Sequence, residues 1–277
     1  MKITVLTPTV GYGLLTAQRM ALEDQTFKDF EWIIIDDNYG KIILDNTSFP
    51  ITHMKPKHPK TYPAIASACN DGLIYAQGEL IYFMNDYVLP HPECLARHWE
   101  IYQKYPKAMI SGRGIQTVIE PVVLNLVKGD QPAADYRMWL FDNFFRKERL
   151  EDNLYEIFRD GVQNWWAGRN DSAPLEAILA CNGFDETFDG RWGGQDADLA
   201  QRLMTYGLRY LLDFQSIALE FEHKHGVKPA IRSEAEQRDF QRTIIDYKAE
   251  RGIYTSGIKK NLIEERKVCL KLLASAS

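Results

Sequence analysis

Short apolar runs alternate with stretches of helical spacing along the N-terminal part of the chain. The apolar runs at 3–7, 32–35 and 79–84 predict buried strands. Apolar positions spaced three and four residues apart predict helices at 14–24 and 64–76. Strands that alternate with helices form mostly parallel sheets with helices on both faces. The pattern therefore predicts an α/β fold.

Polar and acidic side chains follow two of the predicted strands directly. Asp36 and Asp37 come after the second apolar run, and Asn85 and Asp86 come after the third. Ligands of open parallel sheets bind beyond the carboxyl ends of the strands, so we expect these side chains at the mouth of a ligand site. Acidic residues are also common in turns after strands, which is the structural alternative.

The C-terminal half of the chain has a less regular pattern. Residues 116–177 are rich in aromatic side chains and contain no clear linker, so we expect 1–225 to form a single domain. After residue 225 the pattern becomes helical and charged, which predicts a helical C-terminal extension over 226–277. The apolar positions of this tail would suit an extra packing helix, a contact in a homo-oligomer or a peripheral contact with a membrane surface.

Composition limits the classes of protein that the chain can represent. Its 277 residues, 45% hydrophobic and 26% charged, are typical of a folded globular protein with one large domain or two small ones. The net charge of −5 comes without a long run of Lys or Arg. This charge pattern disfavours a nucleic-acid partner.

Three further features concern the cellular compartment. No apolar run approaches the length of a transmembrane segment, and the N-terminal residues do not resemble a signal peptide. The cysteines are far apart and form no Cys-x-x-Cys pair, which predicts reduced thiols rather than disulfides or a zinc site. They are Cys69, Cys94, Cys181 and Cys269. We therefore expect a cytoplasmic protein, with peripheral membrane contact as the alternative.

A second motif competes for the interpretation of the first strand. Gly11, Gly13 and Thr16 follow a strand and open a helix, with Asp36 about twenty residues further on, as in a dinucleotide-binding fingerprint. Thr16 stands in place of the third glycine. In addition, Pro8, Thr9 and Val10 separate the strand from the glycines, whereas the fingerprint needs a tight turn between them. An NAD-dependent oxidoreductase is therefore kept as a minor alternative.

The segment 181–199 carries the most distinctive chemistry. Gly193 and Gly194 lie between an aromatic ring, Trp192, and a carboxylate, Asp196, at the point where a helical pattern begins. An aromatic plate beside a carboxylate suits a sugar-binding surface next to a general base. An acid near a helix N-terminus is also favoured electrostatically, but capping explains neither Trp192 nor the paired glycines.

Three segments together resemble glycosyltransferase family 2. They are 25–37 (QTFKDFEWIIIDD), 66–83 (ASACNDGLIYAQGELIYF) and 182–186 (NGFDE). In addition, Gly194, Gln195 and Asp196 resemble part of the Gly-Gly-Glu-Asp segment of galactosyl- and N-acetylgalactosaminyltransferases. The resemblance covers roughly 1–225 and implies a GT-A fold, with a mostly parallel central sheet flanked by helices.

The resemblance also implies a nucleotide-sugar donor, with UDP as the expected nucleotide. Residues 1–115 would then form the nucleotide-sugar-binding half of the domain and 116–225 the acceptor-binding half. The residues expected at the donor are Thr7, Pro8, Thr9, Asp36, Asp37, Asn70, Asn85 and Asp86. Cys69 stands where the family often has an arginine before Asn70. Lys55, Lys57 or Lys60 could supply that phosphate contact, with a solvated loop as the equal alternative.

A divalent cation, Mn²⁺ or Mg²⁺, is the cofactor that the resemblance implies. The family usually has an Asp-x-Asp segment before Val-Leu-Pro, whereas this chain has Met84, Asn85 and Asp86 there. Asp86 and one of His223 and His225, which follow a strand-like run, are the expected metal ligands. Because Met84 replaces the first acid, a weakened metal site or metal-independent chemistry remains open.

The implied reaction is an inverting transfer by direct displacement, with Asp196 as the base that deprotonates an acceptor hydroxyl. A glycan or glycoconjugate is the expected acceptor. The residues expected to contact it are Trp192, Gly193, Gly194, Arg191 and Trp166, with Trp165 as a further candidate. For Trp165 and Trp166, packing in the core is an equal alternative. Met84 and Cys69 leave a second alternative, a nucleotide-sugar or carbohydrate-binding protein that has lost catalysis.

Overall fold

The fold of the chain is given by a computed structural model. The structure describes residues 1–10, 13–40, 44, 47–57, 64–117, 147–151, 153–158, 166–190, 193–221, 234–258 and 260–276.

One mixed sheet runs through the described part of the molecule. Its strands are β1 (Ile3–Thr9), β2 (Phe30–Asp36), β3 (Ile51–Met54), β4 (Leu80–Phe83), β5 (Val88–Pro90), β6 (Ala108–Thr117), β7 (Lys147–Glu151), β8 (Leu154–Ile157), β9 (Asp171–Pro174) and β10 (Arg209–Phe221). The strand order is β3-β2-β1-β4-β9-β6-β10-β8-β7, with β5 paired to β10.

The predicted α/β class is confirmed, and the parallel arrangement holds for the four strands β3, β2, β1 and β4. The other part of the sheet is mixed, because β9 runs antiparallel to both β4 and β6. Strand β9 is short and has the polar sequence DSAP, so it lacks the apolar pattern that would predict a strand at the centre of the sheet.

Helices cover the sheet and continue beyond it. They are α1 (Leu15–Glu23), α2 (Ile65–Tyr75), α3 (Cys94–Lys104), α4 (Leu175–Ala180), α5 (Gln195–Tyr206), α6 (Glu234–Glu250) and α7 (Leu262–Ala276). The predicted helices at 14–24 and 64–76 correspond to α1 and α2. Helices α6 and α7 confirm that the C-terminal tail is helical.

Strand β2 shows how the apolar runs create two cores. Successive strand residues point to opposite faces, so Ile33 and Ile35 pack with Leu73 of α2, whereas Trp32 and Ile34 belong to the cluster on the other face. Each of these buried side chains contributes about 1.5–3 kcal/mol relative to an exposed one. Burial on both faces explains why the strand is read in the sequence as a continuous apolar run.

Helix α7 packs on the C-terminal end of α2. The Arg266 Nη1 donates to the carbonyl oxygens of Leu73 at 3.5 Å and Ile74 at 3.1 Å. These carbonyls belong to the last turn of α2, where no intrahelical donor is available to them. The tail is thereby attached to the same helix that covers the parallel strands. None of the helices within the described residues is both long and apolar enough to span a membrane.

Candidate active site

The carboxyl ends of β1, β2 and β4 meet at one edge of the sheet. Thr9 is the register partner of Asp36 in the parallel pair β1–β2. The Thr9 hydroxyl also donates to Asp86 Oδ2 at 2.5 Å, which joins β1 to the segment after β4. The structure therefore brings together three of the residues predicted to bind the donor.

Asp36 is fixed by its neighbours at this edge. Its Oδ1 accepts a hydrogen bond from the backbone N–H of Asn38 at 2.7 Å, and its Oδ2 lies 2.9 Å from His53 Nε2. The His53 ring in turn contacts the ring of Tyr39 edge-on, with centroids 4.9 Å apart. His53 was missed in the sequence because a single histidine in a short edge strand has no distinguishing pattern. In the adjacent turn, partial desolvation and the charge of Asp36 raise the pKa of Asp37.

Asp86 is the carboxylate that remains from the acidic motif. Burial and the charge of Asp36 raise its pKa, against the lowering effect of the Thr9 hydrogen bond. Met84, by contrast, is fully buried in the apolar cluster under β1 and β2. In the part of the chain that the structure describes, no three His, Cys, Asp or Glu side chains come together as a metal site. The predicted ligands His223 and His225 lie outside the described residues.

Gly13 closes tightly over this carboxylate. A Cβ atom at Gly13 would collide with the side chain of Asp86, and the Leu14 N–H donates to the Asp86 carbonyl oxygen at 2.6 Å. The glycine is therefore explained by a close approach to Asp86. This contact weakens the interpretation of the segment as a dinucleotide-binding fingerprint. Gly11, the first glycine of that fingerprint, lies outside the described residues.

A cleft connects the mouth of the sheet with the start of α5. It has a volume of about 270 Å³, part of which is open to solvent. Its lining residues are Pro8, Ile65, Cys69, Phe83, Asn85, Ala167, Gly168, Phe184, Gln195 and Asp196. Two residues predicted to bind the donor, Pro8 and Asn85, thus share one cleft with the predicted base Asp196.

Asp196 lies in the first turn of α5. Its Oδ1 accepts a hydrogen bond from the backbone N–H of Ala197 at 2.8 Å. Burial raises the pKa of Asp196, and the nearby Asp171 adds to this effect, whereas the Ala197 N–H and the charge of Arg169 lower it. A carboxylate with a raised pKa is a stronger base than an exposed aspartate.

The segment 166–171 forms one wall of the cleft. Asp171 Oδ2 accepts the backbone N–H groups of Ala167 at 3.0 Å and Arg169 at 3.1 Å, which folds the segment into a turn. The backbone N–H of Asn85 donates to the Gly168 carbonyl oxygen at 3.0 Å. Arg169 pairs through Nη1 with Glu220 of β10. Its charge near Asp196 was missed in the sequence, because nothing distinguishes Arg169 from a surface arginine.

Gly193 and Gly194 precede α5 in left-handed conformations, with φ of 74° and 92°. Such values favour glycine, which accounts for the paired glycines of the motif. The Gly193 carbonyl accepts a hydrogen bond from Gln241 Nε2 of helix α6 at 2.9 Å. Arg191, Trp192 and Trp165 lie outside the described residues, so their predicted acceptor contacts stay predictions.

Three predicted site residues turn inward instead. The Thr7 hydroxyl accepts the Trp32 indole N–H at 2.9 Å in the core. The Asn70 amide donates to the Phe184 carbonyl and to Glu186 Oε1, both at 3.0 Å, and accepts the Phe184 N–H at 2.8 Å. The polar groups of Thr7 and Asn70 thus contribute to the fold, and their predicted donor contacts stay predictions.

Trp166 is the third of these residues. Only 2% of it is exposed, and its ring contacts Phe83 and Tyr210 edge-on. A ring enclosed in this way offers no open face for an acceptor sugar. Trp166 thus packs in the core in this structure, and its predicted acceptor contact stays a prediction.

Among the lysines proposed near the phosphates, Lys57 lies over the Tyr75 ring at 5.1 Å from its centroid. Its backbone N–H donates to Asp71 Oδ2 at 2.8 Å. Lys60 lies outside the described residues. Cys69, which stands in place of the family's arginine, is buried against the cleft.

Two family models match the chain. The model of glycosyl transferase family 2 matches residues 5–172, and the model described as the N-terminal domain of galactosyltransferase matches residues 170–224. The first match spans more than half of the chain. The chain therefore belongs to glycosyl transferase family 2, which confirms the resemblance seen in the sequence.

Individual relatives are more distant. Validoxylamine A glucosyltransferase from Streptomyces hygroscopicus subsp. jinggangensis (strain 5008) is 24% identical over 244 residues, which cover 80% of this chain. The matched region is 56% of that relative's length, so the chain corresponds to little more than half of it.

Solved structures show the same fold at low sequence identity. The crystal structure of S. aureus TarS 1-349 in complex with UDP-GlcNAc is 12% identical with a TM-score of 0.63, covering 94% of this chain and 68% of that one. The crystal structure of GalNAc-T7 with UDP, GalNAc and Mn²⁺ is 12% identical with a TM-score of 0.60, covering 88% of this chain and 48% of that one. These likenesses confirm the GT-A type of fold.

Proposed function

We propose that the protein is an enzyme that transfers a sugar from a UDP-linked donor to a hydroxyl group of a glycan acceptor, with inversion at the anomeric carbon. The observation that carries the proposal is the shared cleft, in which Asp196 of α5 faces the strand ends that carry Pro8 and Asn85. Family membership and the UDP-bound neighbours of the same fold support a nucleotide-sugar donor.

In this proposal the donor nucleotide lies along the edge formed by Thr9, Asp36 and Asp37. Carboxylates at a strand end accept hydrogen bonds from a uracil N–H or from ribose hydroxyls. The diphosphate then points toward Asp86 and the wall that carries Arg169. This arrangement leaves the anomeric carbon of the sugar in the cleft beside Asp196.

The chemical step is a direct displacement. Asp196 takes the proton of the acceptor hydroxyl, and the acceptor oxygen forms a bond to the anomeric carbon from the side opposite the nucleotide. The bond between that carbon and the phosphate oxygen breaks, and UDP leaves with the bonding electrons. Positive charge from Arg169 is available close to the site where charge develops on the leaving phosphate.

Asp86 and one of His223 and His225 would hold a divalent cation. A carboxylate oxygen, an imidazole nitrogen and the oxygens of a diphosphate are donors that Mn²⁺ accepts. When bound, the cation would neutralise charge on the leaving diphosphate. GalNAc-T7, which has the same type of fold, was crystallised with Mn²⁺ and UDP.

A test measures UDP release from UDP-glucose, UDP-GlcNAc, UDP-galactose and UDP-GalNAc, with and without Mn²⁺. Water and a panel of oligosaccharides serve as acceptors. Asp196→Asn should reduce turnover by about 10²–10⁴-fold while UDP still binds. Glu176→Gln, an exposed acid at the start of α4, is the matched control and should turn over like the wild type. Near-normal turnover by Asp196→Asn would show that Asp196 is not the base.

A binding protein without catalysis is the second candidate, favoured by the burial of Met84 in place of an acid. It predicts UDP binding without UDP release from any donor. Thermal stabilisation by UDP, with NAD as the control, distinguishes both candidates from an oxidoreductase.

A further inference from the structure

Helix α6 reaches the glycine pair that precedes the proposed base. Gln241 Nε2 donates to the Gly193 carbonyl oxygen at 2.9 Å. The Gln241 side chain also packs directly over Gly194, because a Cβ atom there would lie 2.7 Å from Gln241 Cγ. The contact is therefore both a hydrogen bond and a close steric fit.

The start of α5 needs such support. Its N-cap residue is Gly194, which has no side chain to accept the first amides of the helix. A helix N-terminus with a glycine cap lacks the side-chain acceptor that Ser, Thr, Asp or Asn would provide. Two successive glycines also leave the approach to the helix with more conformational freedom than other residues would. Asp196 follows this pair after one intervening residue, Gln195.

Helix α6 is itself firmly anchored. Lys248 Nζ donates to Asp185 Oδ2 at 2.6 Å and to Asp198 Oδ1 at 2.7 Å, and all three side chains are buried. Asp198 belongs to α5 and lies close to Asp196 in sequence, whereas Asp185 belongs to the NGFDE segment. The ion pairs thus fix α6 to both elements.

An apolar contact fills the space between Gln241 and Lys248. Ile245 of α6 is buried against Phe188 and Ala197, with Phe240 and Ile244 packed around them. Gln241 and Lys248 are about two helical turns apart and therefore lie on the same face of α6. Ala197 is the residue after Asp196, so the apolar contact reaches the base segment as well.

The matched family regions end at residue 224, before α6 begins. We infer that α6, which lies outside these regions, positions the proposed base: Gln241 is a positioning residue that holds the Gly193–Gly194 turn and thereby sets the place of the Asp196 carboxylate. The inference rests on the proposed function for its catalytic consequence. The underlying contact is independent of it.

The test compares Gln241→Ala with Arg242→Ala. Arg242 is the next residue on α6, and its side chain is 79% exposed, so its variant controls for general effects on the helix. Gln241→Ala should lower kcat for UDP release by about 10–100-fold, as expected for a misplaced catalytic group. The dissociation constant for UDP and the melting temperature should stay close to those of the wild type.

A double variant shows whether Gln241 acts through Asp196. If it does, Gln241→Ala should cause no further loss in the Asp196→Asn background, since residues that act as a unit are not additive. An equal loss in both backgrounds would overturn the inference. So would a Gln241→Ala variant with the kcat of the wild type.

Hydrogen–deuterium exchange provides a readout that does not depend on activity. In Gln241→Ala the amides at the start of α5 should exchange faster, whereas in Arg242→Ala they should not. Unchanged exchange in Gln241→Ala would overturn the inference even if the enzyme is active. Absence of UDP release from the wild type would instead count against the proposed function, and the exchange data would still decide the structural part.

Discussion

At the level of single residues, the environment of Asp196 decides its chemistry. Burial disfavours the charged carboxylate, whereas the Ala197 N–H and the Arg169 charge favour it. The net result is a raised pKa. The proposed base therefore binds a proton more readily than an exposed aspartate does.

This raised pKa predicts the pH dependence of the reaction. As the proposed base, Asp196 can accept the proton of the acceptor only when deprotonated, so kcat/KM should fall on the acidic side as pH drops through the pKa of this group. The midpoint should lie above 3.8, the ordinary value for an aspartate. A profile of kcat/KM against pH measures it. A rate that stays constant down to pH 4 would contradict the assignment.

His53 should influence donor binding through Asp36. It fixes Asp36 Oδ2 at 2.9 Å, and a hydrogen bond to a charged group is worth about 1.5–3 kcal/mol. We expect His53→Ala to weaken UDP binding by about tenfold, measured by calorimetry. His53→Gln keeps a donor and should recover part of the affinity. Unchanged binding in His53→Ala would show that Asp36 does not depend on this contact.

At the level of helices and strands, buried ion pairs join α6 to the helix that carries the proposed base. Arg202 of α5 binds the carbonyls of Cys181 at 2.9 Å and Gly183 at 2.8 Å, and its Nε lies 2.7 Å from Asp198 Oδ2. Lys248 of α6 then completes the pairing of Asp198 and Asp185. Four buried charged groups of two helices and one turn thereby hold the helix that carries Asp196.

Removal of Lys248 should destabilise this cluster. Lys248→Met leaves Asp185 and Asp198 buried with one cation fewer, which should lower the free energy of unfolding by about 3–5 kcal/mol. Urea unfolding at pH 7 measures the change. The control Lys267→Met, at a 60% exposed side chain of α7, should change it by less than about 1 kcal/mol.

The ion pair between Lys248 and Asp185 makes the stability of the fold depend on pH. Burial raises the pKa of Asp185, but the hydrogen bond and charge of Lys248 outweigh it and bring the pKa to about 2, from an ordinary value of 3.8. The stabilisation is therefore present above about pH 4 and is lost as pH falls from there through 2. The difference between wild type and Lys248→Met should shrink across this range. A constant difference would contradict the role of Asp185.

At the level of the whole molecule, the tail closes the NGFDE segment from outside. The Asn182 amide donates to the Lys260 carbonyl at 2.9 Å and accepts the Leu262 N–H at 3.0 Å. Gly183 has a φ of +67°, and a Cβ atom there would collide with Leu262 and Asn70. This segment, one of the three that carry the family resemblance, is thus enclosed between α2 and the C-terminal extension.

Truncation should therefore affect the entire fold. A chain ended after residue 225 loses Lys248 and Leu262, so it should melt at least about 10 °C lower than the full chain or fail to unfold cooperatively. A chain ended after residue 260 keeps α6 and should be intermediate. Thermal unfolding followed by circular dichroism compares them. If the variant that ends after residue 225 melted at the same temperature as the full chain, 226–277 would be a dispensable extension.

Local pattern was sufficient for much of the fold and part of the site. The apolar runs predicted β1, β2 and β4, because a strand that is buried on both faces has apolar residues at successive positions. The helical spacing predicted α1 and α2, because a helix that is buried along one side has apolar residues three and four positions apart. The positions of Asp36 and Asp86 also followed from the sequence, since side chains after parallel strands meet at one edge.

The direction of other side chains depended on partners far away along the chain. Asn70 binds Phe184, 114 residues away, and the Thr7 hydroxyl receives Trp32 of the neighbouring strand. Gln241 meets Gly193 across 48 residues. Hydrophobic periodicity records which face of an element is buried, but a hydrogen bond between distant segments leaves no periodic trace. Only the packed structure decides which polar residues hold the fold together and which remain for the ligand.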